Sequence, residues 1–160
     1  MNDAVALTFK IASEDWEFEH IHKLNYATFV EEIPQHHQNE DRKLIDKFHQ
    51  QNIYLICLRG RQLEGMIALR DRRPFSLDLK IKDLDSHLPS SRKVVEIRLL
   101  SVQRSWRNGQ VFLGLLKLLA EFSKTRGYDL GIISGTTRQF KLYKSIGFVP
   151  FGPLVGEGEA

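Results

Sequence analysis

One acid sits inside an otherwise apolar run, VVEIRLLSVQ (residues 94–103), and a cationic turn, RSWRNGQ (104–110), follows it directly. Strand alternation puts Glu96, Arg98, Leu100 and Val102 on one side of this run and Val95, Ile97, Leu99 and Ser101 on the other. Burial and a neighbouring guanidinium bias a carboxyl group in opposite directions, so the pairing makes Glu96 a candidate proton acceptor. The same spacing also fits a plain Glu96–Arg98 ion pair on a half-exposed sheet face. In the turn, Arg104, Arg107, Asn108 and Gly109 precede a long apolar helix opened by Gln110 and Val111. Unpaired amides at a helix start, with arginines beside them, can seat a phosphate, although a basic turn can equally be solvated surface. Tyr143, in LYKSIGF, carries a phenol that could give a proton to a leaving thiolate, or could serve as a core residue with a wet edge.

These groups need elements to hold them. VALTFKIAS (5–13) alternates as a first strand, and Ser13, Glu14 and Asp15 cap a helix with Phe18, Ile21 and Leu24 at helical spacing. Arg42 to Gln51 reads as a second short helix with Leu44, Ile45 and Phe48 as its apolar face. NIYLICLRGRQLEGMIALRD reads as a hairpin turning at Gly60. The long polar connection DRRPFSLDLKIKDLDSHLPSSRK has the character of a lid or binding loop. Gly109 to Lys124 is the strongest helix, with an apolar stripe at Val111, Leu115, Leu118, Leu119 and Phe122, widened by Phe112, Leu113 and Leu116 toward burial on more than one side. Gly127 ends it as a left-handed cap. Tyr128 to Ser134 is a buried strand, Thr137 to Ile146 a last helix stopped at Gly147, and FVPF a closing strand.

With 160 residues, 42% hydrophobic and 10% aromatic, the chain is expected to form one domain over 1–160 around one substantial core. Charges are mixed and net only +3, and no basic run interleaves with aromatics, so nucleic acid is a distant third reading. No apolar segment reaches the roughly 20 residues of a membrane span, and the N-terminus lacks a signal core, which points to a soluble cytoplasmic protein. Cys57, inside IYLICL, reads as a small buried hydrophobe. His20 and His22 diverge on a helix and His36 and His37 sit in a polar loop, so no metal is expected.

EIRLLSV, R-x-x-Q-x-F, the apolar helix and LYKSIGF together resemble the GNAT superfamily of acyltransferases. The resemblance implies an α/β (α+β) fold, a mixed central sheet flanked by helices and splayed between the strands at about 94–103 and 128–134. It implies a strand acid that activates an amine, a turn that holds a cofactor phosphate, and a tyrosine that protonates a thiolate. Those roles fall on Glu96, on Arg107 to Val111 with Arg104 beside them, and on Tyr143. Amides near Leu100 and Val102 would polarise the thioester carbonyl.

More narrowly, NYATFVEE, RPFSLDLK and GFVPFGPLVG look like the branch of N-acyl amino acid synthases and autoinducer-synthase-like proteins. That branch implies transfer of an acyl group, long-chain in many members, from acyl carrier protein or acyl-CoA as cosubstrate to a small primary amine such as an amino acid. No permanently bound cofactor is implied. Tyr26, Phe29, Phe75 and Arg98 are the substrate-binding candidates. Gln110 and Phe112 stand where the superfamily turn has small residues, and they would crowd a pyrophosphate. This favours a carrier-protein arm with a single phosphate, or else a noncatalytic ligand- or carrier-binding regulatory module of the same fold. GPLVGEGEA ends after one expected strand where the branch continues, so either the chain is a segment of a longer protein or a partner, a second copy among them, covers the last edge.

Overall fold

Two β-rich apolar runs meet at a two-residue turn, and Gly60 supplies the positive φ of 61° that the turn needs. The resulting hairpin, β2 (Ile53–Arg59) with β3 (Gln62–Arg70), is the centre of the sheet in this computed structural model, which describes residues 6–90, 92–107 and 109–156. β1 (Leu7–Ile11) pairs antiparallel with β2, and β4 (Val94–Val102) pairs antiparallel with β3. β5 (Leu130–Ile133) pairs parallel with β4, completing a mixed sheet in the order β1-β2-β3-β4-β5. Val5, the expected start of β1, lies outside the described residues.

Helices cover both faces. α1 (Asp15–Tyr26) starts where Glu17, fully buried, accepts from the amides of Ser13 at 2.7 Å and Glu14 at 3.1 Å and from Lys10 Nζ at 2.6 Å. Of the expected capping residues Glu14 is the N-cap, and Glu17 reaches back to it in a capping box, so Ser13 lies just before the cap. Ile21 and Leu24 pack on Tyr54, Ile56, Met66 and Ala68. Each such buried aliphatic side chain contributes roughly 2 kcal/mol. α1 then runs on as a π-helical turn, Ala27–Glu32.

On the other face α2 (Gln110–Arg126) buries Val111, Leu115 and Phe122 against Leu55, Cys57, Ile67 and Leu69. Gly127 caps it with φ 71° as expected. Its widened stripe is not buried on two sides, because Leu113 is 65% exposed.

Three sequence readings are corrected. Residues 42–51 do not form a helix, and only a 3-10 turn at His49–Gln51 appears there. Ile45, assigned to that helix's apolar face, is 60% exposed. The last helix is a 3-10 turn (Thr137–Gln139) leading into α3 (Phe140–Ser145). FVPF is not a strand; Phe148 packs toward the α2 core and Phe151 toward a third cluster of Phe75, Leu77, Ile81, Leu84 and Ile132. That cluster seats the long 71–93 connection on β5. Among the described residues no helix is long and apolar enough to cross a membrane.

Candidate active site

The site is built around an irregularity in β4. Ala68 pairs with Leu99 and Leu69 with Ile97, which leaves Arg98 as the extra residue of a β-bulge. The expected alternation breaks there. Leu100 and Val102 share the α2 face with Val95 and Ile97, whereas Leu99 packs toward α1 and Ser101 hydrogen-bonds Thr28 of its π-helical turn.

Glu96 is fully buried, which replaces the half-exposed ion pair. Its Oε2 accepts from the Ser76 amide at 2.9 Å, and its Oε1 accepts from Ser76 Oγ at 2.6 Å and the Leu77 amide at 3.1 Å. Arg98 Nη1 lies 3.7 Å from Oε2, and Arg98 Nη2 donates to Asp46 Oδ1 at 2.6 Å. The ring of Phe48 is approached by two guanidiniums, Arg70 at 4.1 Å and Arg98 at 4.6 Å from its centroid. Arg70, 1% exposed, pairs across the sheet with Glu96 and donates through Nε to Pro74 O at 2.6 Å. Its Nη1, like Arg98 Nε, has no hydrogen-bond partner. Sequence reasoning missed Asp46, Phe48 and Arg70. The signal for Arg70 was present, a charge closing an apolar strand; Asp46 and Phe48 were absorbed into the helix that does not form.

Pairing of β4 with β5 stops at Ile97 and Ile133 while β4 runs on to Val102, which is the splay expected of the fold. The Gln103 amide donates to Glu64 O on β3 at 2.8 Å. Strand alternation therefore turns the N–H groups of Leu100 and Val102 to the opposite edge, into the splay. Arg107 Nε reaches the Val102 carbonyl at 3.1 Å.

At the far end of β4, Gly109 takes φ 96° and starts α2. Gln110 is exposed. Val111 is fully buried, and a Cβ built on Gly65 would come within 2.7 Å of its Cγ1. Asn108 lies outside the described residues. The arginines are not simply solvated. Arg107 clamps Glu32 through Nη1 at 2.5 Å and Nη2 at 2.7 Å, and Arg104 Nε stands 3.5 Å from the same carboxylate. The hydrogen bonds from Arg107 hold the Glu32 carboxyl below its ordinary range, and Glu32 in turn raises Arg107. A cleft of about 380 Å³ opens here between Leu24, Ala27 and Thr28 on one side and Val102, Gln103 and Arg107 on the other.

Tyr143 lies half-buried on α3, its ring 6.2 Å from that of Phe148 and against Gly135, where a Cβ would stand 2.1 Å from it. Burial pushes its phenol above the usual value of 10.0. Among the described residues no hydrogen bond joins Tyr143 to Glu96. Lys80 Nζ donates to Ser134 Oγ at 2.9 Å, tying the long connection to the segment that backs Tyr143. The acyl-site candidates are buried apart from the cleft: Tyr26 meets the Asn39 backbone at 3.3 Å, Phe29 follows on the π-helical turn, and Phe75 belongs to the third core cluster. None of the three lines the cleft.

No functionally curated protein matches the sequence. Solved structures share the fold. An acetyltransferase from Trypanosoma brucei is 16% identical, with 96% of this chain and 99% of that chain covered and a TM-score of 0.62. The aminoglycoside N-acetyltransferase AAC(6')-Iy in complex with CoA is 13% identical, with 99% and 97% covered and a TM-score of 0.66. The CoA-dependent acyl-homoserine lactone synthase BjaI, with SAM and isopentyl-CoA, is 23% identical, with 90% and 74% covered and a TM-score of 0.71. A model of the acetyltransferase (GNAT) domain matches residues 24–117, more than half of the chain, so this protein belongs to the GNAT family.

Proposed function

We propose that the protein is an N-acyltransferase, moving an acyl group from a phosphopantetheine thioester to a primary amine such as an amino acid. One observation carries the reading. A buried carboxylate, the amide-bearing edge of Leu100 and Val102, and the Arg107 seat succeed one another along β4 and its turn, beside the point where β5 leaves the sheet. The thioester arm enters the splay with its phosphate at Arg104, Arg107 and the start of α2. An amine with a pKa of about 10 is protonated at neutral pH and must lose a proton before it attacks. Glu96 takes that proton, directly or through a water, once the Ser76–Leu77 segment releases one of its oxygens. The amides of Leu100 and Val102 stabilise the oxyanion, the C–N bond forms, and the C–S bond breaks. Tyr143, its phenol raised by burial, supplies the thiolate's proton and regains one as the attacking nitrogen sheds its second proton to become an amide. Arg70 and Arg98 orient an acceptor carboxylate through their unpartnered N–H groups. BjaI, solved with isopentyl-CoA, supports acyl thioesters longer than acetyl as donors.

A second reading is favoured by a specific feature. Glu96 and Arg107 both have internal partners, as they would in a noncatalytic ligand-binding domain. Mass spectrometry of small molecules from cells overproducing the protein separates the two. N-acylated amines should accumulate with the wild type and vanish with Glu96→Gln; identical metabolite profiles would leave the noncatalytic module.

A further inference from the structure

The Arg107 seat already holds an anion, and the anion belongs to the chain. Glu32 ends the π-helical turn that extends α1, and both of its oxygens face Arg107 in a two-point geometry, with Arg104 alongside. A planar guanidinium presents the same fork to a carboxylate as to a phosphate, so Glu32 occupies the position and hydrogen bonds that a donor phosphate requires. The cleft beside it is lined by Ala27 and Thr28 of the same turn, by Val102 and Gln103 at the end of β4, and by both arginines. Glu32 is only 26% exposed and Arg107 42%, so the pair forms part of the cleft wall.

We infer that Glu32 is the specificity-determining residue of the donor seat, an internal surrogate for phosphate that selects donors by their phosphate charge. The inference rests on the acyltransferase reading of this site. Glu31, which also lines the cleft, is paired with Arg42, so Arg104 and Arg107 less Glu32 leave one net positive charge in the seat. That balance suits the single phosphodiester of a carrier-protein arm. A CoA nucleotide brings a pyrophosphate and a further phosphate, and these must either displace Glu32 or sit against it. Gln110 and Phe112, at the start of α2, act in the same direction by bulk. When a donor does displace Glu32, the end of the π-helical turn loses its tie to Arg107 while Thr28 still holds its start to Ser101 of β4, so donor entry is coupled to loosening of the turn beyond Phe29.

The test is calorimetric titration of wild type, Glu32→Gln and Glu32→Asp with three probes: CoA, 4′-phosphopantetheine and unphosphorylated pantetheine. Removing the charge should tighten CoA roughly fivefold, the scale of one partly exposed ion pair. It should tighten 4′-phosphopantetheine less and leave pantetheine unchanged. Glu32→Asp keeps the charge and should follow the wild type. Equal CoA affinity in wild type and Glu32→Gln, or weaker binding in the variant with its melting temperature retained, would overturn the role of Glu32 while leaving the seat intact. No phosphate-dependent binding in any of the three proteins would overturn the seat itself, and the inference with it.

Discussion

Glu96 is pulled between two demands. A base needs a free lone pair, whereas the carboxylate here accepts two amides and a hydroxyl from Ser76 and Leu77. The Ser76 hydroxyl is the separable part. Ser76→Ala should retain or raise the rate of acyl transfer, cost about 1 kcal/mol of stability, and make the 71–93 connection easier to cleave in limited proteolysis. A strong loss of rate would mean that the hydroxyl, not the freed carboxylate, serves the reaction. Tyr143 gives a pH signature. Its phenol titrates above 10.0 because it is buried, and the active form is the protonated one. Transfer should therefore persist up to and past pH 10 and fall only as the pH rises through the raised value, with Tyr143→Phe removing that alkaline limb from a pH–rate profile. Both residues were legible in the sequence, one as an acid in an apolar run and the other through LYKSIGF. Glu32 was not, because sequence spacing says nothing of a contact between positions 32 and 107.

Among the elements, β4 teaches most about what a pattern can hide. Strict alternation placed Leu100 beside Glu96, and the bulge at Arg98 moved it to the opposite face. A bulge inserts one residue with no change in hydrophobicity, so apolar LL at 99–100 reads the same in either register. The 42–51 segment failed for another reason. Its apolar residues matched a helix, but Phe48 is held by Arg70 and Arg98 and Asp46 by Arg98, and these tertiary contacts outweigh local propensity. Asp46, with a side chain 10% exposed, is the only carboxylate besides Glu96 in an ion pair with Arg98 among the described residues. Asp46→Ala should cost about 3–5 kcal/mol in urea denaturation, because it removes the hydrogen-bonded partner of a buried guanidinium and leaves it only Glu96, 3.7 Å away. A change below 1 kcal/mol would show that the cluster is solvated in solution.

Across the whole molecule, the order of strands and helices was readable because each long run had one period and one stop signal. The hairpin at Gly60, the long α2 ended by Gly127 and the splay beside β4 all appear as expected. Less regular segments took their shape from tertiary contacts instead, 42–51 from Arg70 and Arg98 and 148–151 from the α2 core and the third cluster. Cys57 reports on the larger core. It is fully buried between sheet and α2, and burial pushes its thiol up to about 11. A thiol reagent at pH 8 should leave the native protein unlabelled and modify this cysteine only after denaturation; prompt native labelling would contradict the packing of α2 on β2.

Following thiol release and product mass together is the most direct test of the central claim. Protein supplied with an acyl thioester on carrier protein or CoA, plus a mixture of amino acids, should release thiol and form N-acylated amine in equal amounts. Glu96→Gln should lower that rate by about 10²- to 10⁴-fold, the usual scale for a lost general base. Thiol release that needs no amine, or that proceeds at the same rate in the Glu96→Gln protein, would contradict the account.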